Sequence, residues 1–229
     1  MDAKVVSLQV GKVKNYGSKE SKDFISKYWE SGSFKEPTQD DIWASKLGLL
    51  GDEVADKIHH GGVDKAIFAN SYENYPTWAK FLGEESLPFG ALAENLTISY
   101  LHESSVCIGD IHKIGSAILQ VSQPRKPCWK ISRKWKNQDF TNEIYISGLT
   151  GWYYRVLEEG AISANNEVCV LEQDPQRISI LTSNIAYTNP IKYQEILENI
   201  LKIKSLALSY EASIHKRLNG SANLDYMKL

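Results

Sequence analysis

The sequence predicts an α+β protein, predominantly β, in which a partly closed β-barrel is followed by a three-helix subdomain. Three observations carry this reading. Between residues 47 and 172, glycines punctuate short apolar runs at close spacing, the pattern of strands joined by tight turns. After Asp174-Pro175 the pattern changes to apolar residues at helical spacing, with no glycine between Gly160 and Gly220. The chain of 229 residues is 42% hydrophobic and 24% charged. That suits a soluble globular protein that folds without disulfides or metals.

The elements follow in order. Residues 4–13 are β-branched and partly alternating, a strand. Residues 14–46 are polar and broken by Gly17, Gly32 and Pro37, a long excursion with one helical turn near 24–29. Strand-like runs then occupy 66–69, 96–98, 105–108, 111–114, 117–121 and 168–171. Two helices interrupt them. Residues 71–82 place Tyr72, Tyr75, Trp78, Ala79 and Leu82 on one face, and 149–157 is a shorter candidate. In the C-terminal part, 178–186 reads as helix, and Asn189-Pro190 supplies a cap and Pro at N1 for the next. A third helix covers 205–218. The expected division is a β domain over 1–174, a three-helix subdomain over 175–220 and a tail over 221–229.

Charge and cysteine usage narrow the function. The 26 Lys+Arg against 28 Asp+Glu give a net charge of −2, which argues against a nucleic-acid binder. Three separated cysteines, with no CxxC, exclude a zinc ribbon and a thioredoxin motif, and their odd number argues against a disulfide framework. No run of 18 apolar residues and no secretory leader pattern appears, so a cytoplasmic protein is expected.

The sharpest segment is Gln123-Pro124-Arg125-Lys126-Pro127-Cys128-Trp129-Lys130, a proline-stiffened loop leaving a strand. Six basic residues and no acid lie between Pro124 and Lys136, and neighbouring cations stabilise a thiolate that binds soft metals or attacks electrophiles. A buried structural cysteine beside a solvated basic face is the alternative. Cys107 and Cys169 sit in strand-like runs and read as core fillers. The second segment, Lys57-Ile58-His59-His60-Gly61-Gly62-Val63-Asp64-Lys65, offers bare backbone amides with His and Lys donors for an anion, or a plain turn. Asn95 hydrogen-bonds either a heterocycle or its own backbone, and Arg155 faces either an anion or solvent. The common nucleotide, zinc-protease and serine-hydrolase motifs are missing.

Taken in order, Gly48-Leu49-Leu50-Gly51-Asp52-Glu53, His60-Gly61-Gly62-Val63-Asp64-Lys65-Ala66, Glu94-Asn95-Leu96, Gly109-Asp110-Ile111, residues 120–128 and Gly151-Trp152 resemble the MOSC-domain proteins of the YiiM type. The family commonly has Gly where Ala93 stands, and a smaller aromatic where Trp129 stands. The resemblance implies that Cys128 ligates molybdenum of a pterin-based molybdenum cofactor. It makes Lys57, Lys65, Arg125, Lys126 and Arg155 candidates to hold the cofactor's phosphate. His60, Asp64 and Asn95 match positions near that pocket, His60 and Asp64 as candidate catalytic groups. The implied activity is reduction of N-hydroxylated bases such as 6-hydroxylaminopurine to the amine, with electrons from a separate reductase. The other reading is a non-enzymatic carrier of sulfur or cofactor through Cys128. Pyridoxal phosphate, flavin, haem, zinc, nucleic acid and membrane are not expected.

Overall fold

The computed structural model describes residues 2–227. In chain order, β1 (Lys4–Val10), β2 (Lys14–Tyr16), β3 (Trp29–Ser31), β4 (Glu36–Thr38), β5 (Ile42–Ser45) and β6 (Gly48–Leu49) precede β7 (Ile67–Ser71), α1 (Tyr75–Leu82) and β8 (Leu96–Ser99). Next come β9 (Ile111–Ile114), β10 (Ala117–Pro124), α2 (Lys130–Trp135), α3 (Phe140–Ser147), β11 (Trp152–Glu158), β12 (Gly160–Ile162) and β13 (Val168–Glu172). Helices α4 (Ile180–Thr188), α5 (Gln194–Ile200) and α6 (Leu208–Leu218) follow, and short 3-10 turns lie at Val63–Lys65, Tyr72–Asn74 and Asp225–Met227.

Eight strands pair in the order β13-β9-β10-β11-β7-β8-β1-β4. Strands β7 and β8 run parallel across the α1 crossover, and the other neighbours are antiparallel. The result is a large mixed sheet that does not close fully among the described residues, where turn spacing led to the expectation of a partly closed barrel. The sheet curls until the start of β1 meets the turn before β13. There Val5 N–H donates to Asn166 O at 2.9 Å, and a single bridge joins Lys4 to Glu167. Glycine spacing reports strand number and turn density, but barrel closure depends on the pairing of strands far apart in sequence.

The buried side of the sheet contributes Val5, Ile67, Leu96, Leu119 and Tyr154 to the main core, and the same core takes Ile180, Leu197, Tyr210 and Ile214 from α4–α6. The C-terminal helices thus share the core of the sheet. A second core lies between α1 and the α2–α3 pair, where Trp78 packs edge-on to Phe140 at 5.5 Å beside Leu92, Ile131 and Ile144.

Several elements differ from expectation. Residues 149–157 belong largely to β11, not a helix. Gly148 and Gly151, each at φ 74°, bracket the turn after α3, and Trp-Tyr-Tyr-Arg-Val favours a strand. Both faces of β11 are buried at Trp152, Tyr153 and Tyr154, so no alternation shows. Helices α2 and α3 lie in a stretch without an assignment from sequence. The 14–46 excursion holds β2–β5, and a turn in it is closed by Lys27 N–H donating to Asp23 O at 2.8 Å, near the expected helical turn. Helix α5 begins four residues after Pro190, and Asn189 instead ends α4. Cys107 is buried, but Cys169 is exposed on the edge strand β13 and fills no core. Among the described residues, no helix is long and apolar enough to cross a membrane.

Candidate functional site

The loop that carries Cys128 is held at both ends. Gln123 and Pro124 still pair with Tyr153 and Trp152 of β11, and Arg125 N–H donates to Gly151 O at 3.1 Å. The Cys128 carbonyl accepts from Ile131 N–H at 3.1 Å and from Thr141 Oγ1 at 3.2 Å. Ile131 anchors α2 in the second core. The cysteine therefore sits between a strand end and a pinned helix start, with little freedom to move.

Beside it opens a cleft walled by the 31–33 and 52–56 segments together with Phe68 and Tyr153. Five of the nine residues singled out from the sequence line it: His60, Lys65, Asn95, Arg125 and Cys128. Asn95 acts there as a strut. Its Oδ1 accepts from Phe68 N–H at 3.1 Å, and its Nδ2 donates to Asp52 Oδ2 at 2.9 Å and Gln9 O at 3.2 Å. Lys65 Nζ donates to His59 O at 2.7 Å. The His59-His60 turn is itself built by Asp56, whose carboxylate accepts from His59 N–H at 3.0 Å.

The other four lie elsewhere. Asp64 and Arg155 face each other, with Oδ1 at 2.7 Å from Nη2 and 3.0 Å from Nε. Arg155 Nη1 also donates to Gln120 Oε1 at 3.2 Å. Lys126 points to the C-terminal helices, donating to Ser213 Oγ at 2.9 Å between the rings of Tyr187 and Tyr226. Lys57 lines a neighbouring cleft.

Arg125 dominates the electrostatics. It is 6% exposed, its guanidinium lies 5.4 Å from the Phe68 ring centroid, and its Nη1 finds no acceptor among the described residues. A buried donor on a permanent cation without an acceptor is costly; an anion in the cleft removes that cost. Burial pushes the His60 imidazole down to about 4, and Arg125 pushes it further in the same direction, so His60 is neutral at pH 7. Burial raises the Cys128 thiol, and it outweighs the opposing pull of Arg125 and Lys130. The free side chain is thus a thiol, contrary to the thiolate expected from the basic run.

That run does not form a solvated face. Arg133 is held between the rings of Phe24 and Trp129, at 3.8 and 4.5 Å. Lys130 Nζ donates to Glu30 O at 3.0 Å, and Lys134 Nζ to Ser33 O at 2.8 Å. Residues 24–33 form a strap across the cysteine helix, and Ser31, Gly32 and Ser33 join the cleft wall. The sequence reading also missed Lys35 and Asp52, a buried ion pair in the same wall. No local pattern marks them, because they meet only after residues 17 positions apart fold together.

Among the described residues, no three His, Cys, Asp or Glu side chains gather to hold a metal ion. A soft metal at Cys128 must therefore bring most of its own ligands.

Comparison with known proteins decides the family. Residues 56–169 match the MOSC domain. The chain is 35% identical over 203 residues to the Bacillus subtilis protein YflK, covering 89% of this chain and 91% of that one. It is 34% identical to Escherichia coli YiiM over 183 residues, 77% of this chain and 80% of YiiM. The chain belongs to the MOSC-domain family. The crystal structure of YiiM from Geobacillus stearothermophilus superposes with a TM-score of 0.78 at 30% identity, covering 94% of this chain and 99% of that one. A Gibberella moniliformis protein named Reductase is 34% identical over 154 residues, 66% of this chain and 27% of the fungal protein. Within this MOSC-domain chain, the matched span contains the His60 turn and the Arg125–Cys128 loop, but Lys35 and Asp52 precede it.

Proposed function

We propose that this MOSC-domain protein binds a molybdenum cofactor at Cys128 and reduces N-hydroxylated bases to amines. The observation that carries the reading is the buried Arg125, with Nη1 unpaired among the described residues, in the same cleft as the Cys128 thiol. One group asks for an anion and the other suits a soft metal. A phosphate-bearing cofactor with its own sulfur ligands meets both demands.

Cys128 would bind the metal, losing its proton as it does so. Arg125, with Lys65 and Lys130, would hold the phosphate, while Lys35 is neutralised by Asp52 in the same wall. Of the remaining candidates, Lys57 and Lys126 lie away from Cys128, while Asp64 and Arg155 stiffen the turn that presents His60 and Lys65. When bound, the cofactor supplies two-electron redox chemistry at its metal. The overall change is R–NHOH + 2e⁻ + 2H⁺ → R–NH₂ + H₂O, with the N–O bond broken. Neutral His60 accepts a hydrogen bond from the substrate or relays a proton to the leaving oxygen. The electrons come from a separate reductase. A carrier passing on sulfur would need an accessible, nucleophilic thiolate, whereas the Cys128 thiol is half-buried and raised.

The test uses protein made in cells with an intact molybdenum-cofactor pathway. Anaerobic oxidation of a reduced viologen on adding 6-hydroxylaminopurine is expected for the wild type and not for Cys128→Ala. No turnover in protein shown to contain molybdopterin rejects the reductase reading and favours the carrier.

A further inference from the structure

Tyr153 has no part in the cofactor reading. On β11, Trp152 and Tyr154 enter the main core, so Tyr153 between them leaves by the other face of the strand. Phe68 stands opposite it on β7, flanked by Ile67 and Ala69 of that core, and Gln123 stands opposite it on β10. The two rings meet at 5.3 Å, and the Arg125 guanidinium rests 5.4 Å from the Phe68 centroid. Tyr153 thus belongs to the floor that carries Arg125, and it lines the Cys128 cleft while only 9% exposed. Its hydroxyl makes no hydrogen bond among the described residues. Other uncharged polar groups of the wall are engaged. Asn95 is spent on Phe68 N–H, Asp52 and Gln9 O, and Ser31 Oγ donates to Ser33 Oγ at 2.8 Å. Burial pushes the Tyr153 phenol up to about 12, with Arg125 pulling it down and negative charge at Cys128 pushing it up. At neutral pH it is a donor without charge.

We infer that Tyr153 is a further catalytic residue of this site, its phenol O–H donating a hydrogen bond to the oxygen of the substrate's N-hydroxyl group. The inference rests on the proposed reductase function for what enters the cleft. An N-hydroxyl group is at once a donor and an acceptor, and a buried site that leaves either side unpaired binds it poorly. Neutral His60, in the same cleft, takes the hydrogen; Tyr153 meets the oxygen's lone pair. Arg125 is the poorer match for that oxygen, because a permanent cation favours an anion. As the N–O bond breaks, the oxygen gains electron density and the bond from the phenol strengthens, which favours the breaking bond over the intact one. The two electrons and two protons of the overall change are unaltered, since Tyr153 polarises the leaving oxygen and keeps its own proton. The amine product has no such oxygen, so it leaves without this bond.

Binding to molybdenum-loaded, oxidised protein without an electron donor tests this apart from turnover. The ligands are 6-hydroxylaminopurine and adenine, which share a ring and differ by the N-hydroxyl oxygen. Tyr153→Phe keeps the ring beside Phe68 and removes only the hydroxyl. It is expected to weaken 6-hydroxylaminopurine about tenfold, roughly 1.4 kcal/mol, and to leave adenine as it was. A merely structural ring would move both ligands together. Equal weakening of both, or no weakening of either, overturns the inference, and so does wild type that holds neither ligand at millimolar concentration. Where the variant does not fold, or adenine is too weak to titrate, ring-carbon NMR of the wild type decides. The Tyr153 Cζ resonance is expected to move with 6-hydroxylaminopurine, and a resonance that stays in place overturns the assignment. Dye-linked turnover is scored separately. Turnover without this discrimination rejects Tyr153 alone; discrimination without turnover rejects the reductase reading and leaves Tyr153 as a binding residue.

Discussion

Arg125 stacks its guanidinium on Phe68 at 5.4 Å and buries its Nη1 with no acceptor within reach among the described residues. The loop from β10 and the strand β7 thus hold a cation in place at a cost to the folded state. Such a cost is offset when an anion binds.

Sulfate or phosphate should therefore raise the melting temperature of the cofactor-free wild type. The gain reaches about 2.7 kcal/mol at roughly 100 times Kd. In Arg125→Met the gain should vanish, while stability without anion stays level or rises. Thermal scans across sulfate concentration check this, and an equal gain in both proteins would contradict the assignment of Arg125.

The pair Asp64–Arg155 gives a different expectation. Both side chains are about a quarter exposed or less, 25% and 21%, so screening limits the pair's worth to about 1 kcal/mol. Arg155→Met should lower unfolding stability by about that much. Molybdenum content per protein should stay near the wild-type value. A variant that is fully stable but cannot retain the cofactor would move Arg155 into the cofactor site.

His112 supplies a pH dependence that is independent of the site. It lies in the core with Nδ1 2.7 Å from Tyr154 OH, and burial pushes it down to about 4. The unfolded state takes up a proton near pH 6.5 and the folded state only near 4. Stability is therefore fully present above pH 6.5 and falls as the pH drops towards 4. The loss is on the order of 3 kcal/mol. In denaturant titrations, His112→Gln should flatten the slope between pH 6.5 and 4. An unchanged slope would show that His112 does not carry it.

The chain end also supports the cysteine loop. Tyr226 O accepts from Trp129 N–H at 3.2 Å, and the Tyr226 ring lies 5.0 Å from Lys126 Nζ. Residues 221–227, read as a tail from the sequence, thus reach the loop; residues 228–229 lie outside the described part. A chain ending at Gly220 should exchange the Trp129 amide faster by at least about tenfold. Hydrogen exchange identical to that of the full chain would remove this role.

Local chemistry made much of this legible. The proline-stiffened Arg125–Cys128 loop, the His60 turn and the strands β7–β10 all announce themselves within short stretches of sequence. What stayed hidden depends on distant contacts. Strand β11 is buried on both faces, so its aromatic run does not separate strand from helix by periodicity. Lys35 and Asp52 become a buried pair only because the segment leaving the 24–33 strap runs along the cleft. The sign of the Cys128 shift was illegible for the same reason: a basic neighbourhood shows in the sequence, but burial decides the outcome. Cys169 reads as core because its neighbours are apolar, yet β13 is an edge strand.

Molybdenum-edge X-ray absorption on protein loaded in cofactor-producing cells tests the central claim most directly. The account predicts one protein thiolate sulfur on molybdenum in addition to the cofactor's own, lost in Cys128→Ser. The same sulfur coordination in both proteins, or wild type that carries no molybdenum, would contradict it.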